Sequence, residues 1–244
     1  MMVVVMSSLQ RSNALILGAS LFLGLLGLAW VAGNYALAVK DYERTVTVRG
    51  LAEHEYPADI VIWPIQFSIA DNDLEALYVS IDNSTQRIRE FLQNNGIAAD
   101  ALSQSPPAIT DRMAQAWGDT SEVRFRYSGT QTVTVYSTDI AAVRQVMTSM
   151  SDLGREGIVF AGAEYNLQPE YLFTSLNDVK PTMIEEATKE ARAAALKFAD
   201  DSGSKLGKIK QASQGQFSIA DRDRNNPHLK KIRVVVSVEY YLSD

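Results

Sequence analysis

The sequence predicts an α+β fold in which antiparallel sheet packs against helices, preceded by one N-terminal transmembrane helix. Stretches of alternating apolar and polar residues recur along the chain, which is typical of half-buried antiparallel strands. Segments with apolar residues at helical spacing separate them, without the regular strand–helix alternation of a doubly wound sheet. A long uncharged stretch near the N-terminus predicts the membrane helix.

Composition excludes several classes of protein. The 244 residues carry 23 basic and 29 acidic side chains, and the net charge of −6 disfavours binding to a nucleic acid backbone. The chain has no cysteine, which excludes disulfides, thiolate catalysis and cysteine-ligated metals. Its two histidines leave little for a histidine metal cluster. We therefore expect no cofactor, no metal, no nucleic acid partner and no enzymatic activity.

The N-terminal region predicts a membrane anchor. Residues 12–39 contain no charge, and the apolar run over 14–32 is long enough to cross a hydrocarbon layer of roughly 30 Å. We expect a cytoplasmic N-terminus over 1–13, a transmembrane signal anchor over 14–39 and an exported domain over 40–244. The side chains expected in the bilayer include Leu15, Leu21, Phe22, Leu25, Leu28 and Trp30.

Two interpretations of this segment stay open. An uncleaved anchor is favoured because the apolar region of a secretory signal usually has only roughly 7–15 residues. Cleavage after Ala36-Leu37-Ala38, which has the small-x-small form of a processing site, would instead give a soluble periplasmic protein. We adopt the anchor at the bacterial inner membrane, with the C-terminal domain in the periplasm. Without Arg11 and Lys40, residues 41–244 keep 21 basic against 29 acidic side chains, a charge of −8 that anionic lipid would repel.

Period-two alternation predicts the main strands. We interpret Gly50 as the interruption of the first strand, and Pro64 as a sign of an edge position or bulge, because proline cannot donate to a ladder. Residues 103–118 are expected to form a loop or irregular strand. The main strands are predicted at 45–49, 60–69, 123–135 and 232–242, with shorter ones at 158–167 and 209–219.

Helical spacing of apolar residues predicts three helices. The first follows Asp73, a candidate N-cap, and ends at Asn95-Gly96. The second covers 139–153. The third ends at Gly203, and its mostly alanine seam would let it approach a sheet closely. That seam is predicted to consist of Ile184, Ala187, Ala191, Ala194 and Phe198.

Short motifs follow one another along the exported domain. They are TVTVRGLAE at 45–53, PADIV at 57–61, NNGI at 94–97, QTVTV at 131–135 and EARAAALKFA at 190–199. In this order and spacing, over about residues 44–243, they resemble the SIMPL-domain family, a domain of unknown function. The resemblance implies an exported or envelope protein of α+β fold, with ring assembly in some members and an association with oxidative-stress protection. The resemblance assigns no catalytic residue to this sequence.

Candidate sites for chemistry are weak. Asp221-x-Asp223-x-Asn225 begins like a calcium loop, but its twelfth position is Ile232, so the bidentate carboxylate is missing. His54 lies near the end of the first strand, where an exposed position is expected, and His228 lies in a charged turn. Interleaved acidic residues favour a salt-bridged hairpin or subunit contact over an anion site for the basic cluster Arg222, Arg224, Lys230, Lys231 and Arg233.

Apolar residues on both faces of two presumed edge strands predict self-assembly. Ile60 and Ile62 lie opposite one apolar row, and Val235 and Tyr241 lie opposite another. Natural edges are normally covered or charged, so we expect these residues, with Arg222, Arg224, Lys230 and Lys231, to form the interface of a ring-like homo-oligomer. The function predicted is that of a non-enzymatic envelope protein. The alternative is a periplasmic ligand-binding or hydrolytic domain with a cleaved signal peptide.

Overall fold

A computed structural model describes most of the chain, and its described residues divide into two compact units. The first unit consists of the described residues up to Ala52, of Ile184–Gln216 and of the residues from Val234 onward. The second unit consists of the described residues within Glu53–Met183 and Phe217–Arg233. Both contain antiparallel strands with helices, as predicted. The described residues are Gly18, 20–34, 44–114, 124–161 and 168–243.

Nine strands and five helices make up the described elements. The strands are β1 (Thr45–Pro57), β2 (Ile60–Asp71), β3 (Leu102–Gln104), β4 (Ala108–Asp111), β5 (Tyr127–Ser137), β6 (Glu170–Leu172), β7 (Lys205–Gln214), β8 (Ser218–Asp221) and β9 (Leu229–Ser243). The helices are α1 (20–34), α2 (Leu74–Asn94), α3 (Ile140–Thr148), α4 (Met150–Arg155) and α5 (Leu176–Asp201), with a 3₁₀ turn at Ala99–Ala101.

The second unit has one five-stranded sheet over its main core. Its order is β3–β5–β2–β6, and β4 also pairs with β5. The odd-numbered side chains of β2 from Val61 to Phe67 are buried and Ile69 is partly buried, which confirms the period-two prediction for this strand. They share the core with one face of α2, whose fully buried members are Leu77, Ile81, Ile88 and Leu92.

Pro64 does not mark an edge strand, so that prediction is wrong. β2 pairs with β5 along its length and with β6 at Ile60–Ile62 on its other side. On that second side the Ser68 amide donates to the Val159 carbonyl at 2.9 Å, and Gln66 accepts from Ala161. Alternate residues of a strand direct their backbone groups to the same side, so the Pro64 nitrogen also points to this second side. It lies between β6 and residues 159–161, where it interrupts no ladder bond of the described residues.

Local signals set the ends of α2. The Asp73 carboxylate accepts a hydrogen bond from the Ala76 amide at 2.8 Å, and Gly96 adopts a φ of 90° just after the helix. Both predictions are confirmed. The helix predicted over 139–153 is instead divided at Ser149 into α3 and α4. There the Thr148 hydroxyl donates to the Gln145 carbonyl at 2.7 Å, a bond that competes with the helical ladder.

The first unit places α5 against β1 through small residues. β9 lies between β1 and β7 in the sheet order, and Gly50 lies inside β1 rather than interrupting it. A Cβ atom at Gly50 would collide with the Ala187 carbonyl oxygen and lie 2.5 Å from the Ala191 nitrogen. Glycine is therefore required by close approach, and the prediction that this helix approaches a sheet closely is confirmed.

The seam of α5 differs from the prediction. The helix begins at Leu176, earlier than Ile184, and continues through Pro181. Ala194 is only half-buried and Phe198 is 58% exposed. The seam steps by four because α5 rests on the β1 backbone, where only a narrow line of small residues fits. Its buried members are Met183, Ala187, Ala191, Ala195 and Ala199.

The weaker strand predictions are only partly right. The region predicted as a loop or irregular strand contains the short strands β3 and β4, and β5 begins at Tyr127, while residues 115–123 of these predictions lie outside the described part. Of the strand predicted over 158–167, Phe160 forms an isolated bridge to Phe67, and residues 162–167 lie outside the described part. The strand predicted over 209–219 is divided into β7 and β8.

The described part of the predicted anchor is the apolar helix α1. Among the described residues, no helix has the length and hydropathy needed to cross a membrane. The rest of the prediction, including residues 1–13, Leu15 and 35–39, lies outside the described residues. The predicted bilayer-facing residues in α1 are 58% to 72% exposed, namely Leu21, Phe22, Leu25, Leu28 and Trp30.

Replacing Gly50 by alanine tests the close approach of α5. The added methyl group meets backbone atoms, which cannot rotate away as a side chain can. We expect Gly50→Ala to lower the free energy of unfolding by about 1–3 kcal/mol, measured by urea unfolding followed by circular dichroism.

Gly154→Ala is the matched control, since a Cβ atom there would meet nothing within 4 Å. Gly154 lies in α4, so alanine should leave stability unchanged or raise it by up to about 1 kcal/mol. Equal effects of the two substitutions would contradict the argument.

Candidate functional site

The predicted basic cluster lies on and beside the β8–β9 hairpin and is largely ion-paired within the second unit. Lys231 Nζ lies 2.8 Å from a Glu53 carboxylate oxygen, and Lys230 pairs with Asp221. Arg222 Nε lies 2.9 Å from Asp223, and its Nη1 lies 3.7 Å from Glu55. Arg224 and Arg233 are exposed. This arrangement is the salt-bridged hairpin that the interleaved charges favoured.

The acidic partners in this hairpin are held in their charged form. The hydrogen bond from Lys231 lowers the pKa of Glu53, and the hydrogen bond from Arg222 lowers that of Asp223. Asp223 also accepts from the amides of Asn225 and Asn226, both at 2.9 Å. The Asp223 carboxylate thus accepts hydrogen bonds from the side chain of Arg222 and from backbone amides. Within the described residues, no three potential metal ligands come together.

Ile60 and Ile62 lie on the side of β2 that faces away from the core. Ile62 is directly opposite Tyr136 of β5, and Ile60 is opposite Leu172 of β6. All four are partly or largely exposed, and Tyr136 reaches 51%. They form an apolar strip on the open face of this sheet, called here the open strip. The prediction that Ile60 and Ile62 lie on an edge strand is wrong, because β2 has partners on both sides.

Val235 and Tyr241 occupy the corresponding position in the first unit. Both are half-buried on β9, opposite the buried row that includes Val234 and Val238. β9 is likewise interior, between β1 and β7, so it is not the edge strand predicted. Lys210 Nζ lies 5.8 Å from the Tyr241 ring centroid and pairs with Glu239 at 3.1 Å.

The second unit also has two shallow grooves. One, of about 370 Å³, has an apolar floor at Phe67 and Ile69 and the hydroxyls of Ser80 and Ser84 on one wall. The other, of about 410 Å³, follows the polar side of α2 and is lined by Asp82, Thr85, Gln86, Arg89, Glu90, Gln93 and Gln104.

Sequence reasoning missed the role of Asp59. Its carboxylate accepts from the amides of Thr174 and Ser175 and from both hydroxyls, at 2.8 to 3.1 Å. These two residues directly precede α5, so Asp59 fixes the entry to that helix. Burial raises the pKa of Asp59, but hydrogen bonds from Ser175 and Thr174 outweigh it and leave the pKa below its ordinary value.

A buried polar link in the second unit was also missed. Thr85 of α2 donates to the Gln131 side-chain oxygen at 2.6 Å, and the Gln131 amide donates to the Ser105 carbonyl at 2.7 Å. Thr85 and Gln131 are 6% and 5% exposed. Gln131 opens the QTVTV motif, so this motif residue joins a helix to a sheet and to the segment after β3.

His54 is not exposed as the sequence predicted, whereas His228 lies in the turn where it was expected. His54 lies inside β1 and is half-buried, with its ring centroid 6.2 Å from that of Tyr56. His228 Nε2 lies 3.1 Å from Arg144 Nη1 of α3, and its ring meets Tyr171 edge-on at 6.0 Å. The separation of 84 residues between His228 and Arg144 hid this contact from sequence patterns.

The motif residues thus hold the fold together, and the family comparison agrees with the resemblance they carry. Residues 46–240 match SIMPL, described as a protein of unknown function (DUF541). The chain belongs to the SIMPL family. No curated protein matches it. The match confirms the predicted family.

Replacing Asp59 tests its role in this SIMPL domain. A carboxylate with a lowered pKa contributes stability that is present above the ordinary value of 3.8 and is lost as the pH falls through the lowered value. Asp59→Asn should cost about 1–2 kcal/mol at neutral pH, because one amide group cannot accept from all the donors.

Urea unfolding at neutral and acid pH measures this effect. The difference between wild type and Asp59→Asn should shrink below pH 3.8, where the wild-type carboxylate also becomes protonated. Exposed Asp100, changed to asparagine, is the control and should leave the curve unchanged. A difference that persists undiminished in acid would contradict the assignment.

Proposed function

We propose that this SIMPL protein is a non-enzymatic bacterial envelope protein, anchored in the inner membrane by its N-terminal helix, whose periplasmic domain forms a ring-like homo-oligomer. The observation that carries the proposal is the open strip of Ile60, Ile62, Tyr136 and Leu172, an apolar surface on the side of the sheet that faces away from the core. A role in stress protection, which the family resemblance implies, stays a prediction.

The exposure of α1 supports the anchor. Its leucines, Phe22 and Trp30 project from the helix, and Trp30 is 72% exposed. A helix that is apolar on all sides needs an apolar environment, and the uncharged sequence continues from residue 12 to residue 39. A bilayer supplies that environment, and it leaves the domain of charge −8 in water.

The outer strands β7, β3 and β6 favour assembly through sheet faces. β7 carries Lys205, Lys208 and Lys210 and has register shifts around Ile209, and both features discourage edge-to-edge pairing. β3 and β6 have only three residues each. A contact between copies is therefore expected to use the open strip and the side of β9 that carries Val235 and Tyr241. Contacts between different patches of two copies close into rings when the rotation allows.

Three carboxylates that could take part in catalysis are bonded to other groups of the protein, which supports a non-enzymatic role. Asp59 holds the entry to α5, Asp223 is occupied by Arg222 and backbone amides, and Glu53 pairs with Lys231. Catalytic sites typically combine a concave pocket with titratable groups of perturbed pKa that converge on it. Of the two described grooves, one is lined by apolar residues and hydroxyls, and the other by the polar and charged side chains along α2.

Particle mass in detergent tests the assembly. Light scattering of the full chain should give a multiple of 26.9 kDa at micromolar concentration. Ile62→Asp and Val235→Lys should each shift the protein towards the monomer, because a charge in an apolar interface has no partner. Circular dichroism should show that both variants remain folded.

Val79→Lys is the control for the charged substitution. Val79 is 56% exposed on α2 and lies outside the proposed interface. It should leave the particle mass unchanged. A wild-type protein that is monomeric under these conditions would overturn the proposed assembly.

Extraction and N-terminal analysis test the anchor. Protein in isolated membranes should resist salt and alkaline washing, require detergent, and retain Met1 or Met2. A mature protein that begins at Val39 would show cleavage after Ala36-Leu37-Ala38 and would exclude the anchor.

A further inference from the structure

Besides the Arg222–Glu55 ion pair, three contacts hold the turn over residues 222–228 in the second unit. The Arg222 amide donates to the Leu229 carbonyl at 2.8 Å, which closes the β8–β9 hairpin. The His228 carbonyl accepts from the Ala58 amide, also at 2.8 Å. The third point is a side-chain contact, in which His228 Nε2 lies 3.1 Å from Arg144 Nη1 of α3. Backbone bonds thus fix the ends of the turn, and this contact holds it against α3.

The chemistry of the two side chains determines the protonation state of His228. A guanidinium group has only donors, so a hydrogen bond at this distance requires His228 Nε2 to accept. The imidazole is then neutral and carries its proton on Nδ1. Protonation of Nε2 removes the acceptor and brings two positive charges within 3.1 Å. The contact therefore changes from attraction to repulsion when one proton is added.

The groups around His228 favour its neutral form. Burial, Arg144 and Arg222 lower the pKa of His228 from 6.5, and Asp223 opposes them. Tyr171 of β6, a further titratable neighbour, meets the ring edge-on. Burial raises the pKa of Tyr171, so its hydroxyl is uncharged over the range in which a histidine titrates.

We propose that the His228–Arg144 contact is an acid-sensitive latch, which holds the 222–228 turn against α3 at neutral pH and releases it when His228 becomes protonated. The bonds at Leu229 and Ala58 use backbone groups that do not titrate, so the hairpin stays formed and the movement is confined to the turn. The proposal concerns one contact within the second unit and does not depend on the anchor or on the assembly.

Distance measurement between two spin labels tests the latch on the full chain in detergent. Because the chain has no cysteine, Gln145→Cys and Asn225→Cys supply unique labelling sites beside Arg144 and in the turn. Both positions are exposed. We expect a narrow distance distribution at neutral pH, and a shift to longer, broader distances in acid. The shift should be reversible and follow a one-proton curve with its midpoint below 6.5.

Substitution of His228 distinguishes an effect of its protonation from the protonation of other groups. In His228→Gln the side-chain oxygen can still accept from Arg144 but cannot titrate, so the distances should stay short at every pH. His54→Gln removes the only other histidine and is the matched control, which should retain the wild-type transition. Arg144→Gln removes the repelling charge and should abolish the shift.

NMR titration of the His228 ring gives an independent measurement. The pKa should rise towards its ordinary value in Arg144→Gln, because the nearby positive charge is lost. An unchanged distance in wild-type protein between neutral and acid pH would overturn the latch. An acid transition in His228→Gln equal to that of the wild type would also overturn it, because another group would then be responsible.

Discussion

In the first unit, the contact of Gly50 with the backbone of α5 limits what the surrounding sequence can be. A strand and a helix approach this closely only where both surfaces lack bulky side chains, so β1 needs a glycine and α5 needs alanine at every fourth position. This contact explains how an alanine-rich helix, whose side chains bury little apolar area each, still packs closely against β1. Dispersion between closely spaced backbones compensates for the small side chains.

The other SIMPL motif residues have comparable structural tasks. Asp59 fixes the residues before α5, Gln131 joins α2 to β5, and Gly96 adopts a positive φ angle after α2. These tasks are local and chemically specific, so each demands one residue type at one position. The motif therefore specifies a fold, and membership of the family by itself identifies no reaction.

Features that depend on neighbours in the chain could be predicted from the sequence, and features that depend on distant partners could not. The alternation of apolar and polar residues predicted β2 and β9, and Asp73 and Gly96 predicted the ends of α2. Each of these signals lies within a few residues of the element it predicts. The edge position of Pro64 was wrong because β6 and residues 159–161 pair with β2 from far along the chain. Interleaved charges predicted the ion-paired hairpin, but the His228–Arg144 contact has no sequence pattern.

The same division bears on where SIMPL proteins can differ in function. Residues with structural tasks cannot change without loss of stability, whereas the open strip around Ile62 and the exposed Phe198 of α5 are free of such tasks in the described structure. A partner or a second copy would bind these surfaces rather than the motif residues. Two proteins with the same motifs can therefore have different partners, since the fold and the recognition surface are specified by different residues.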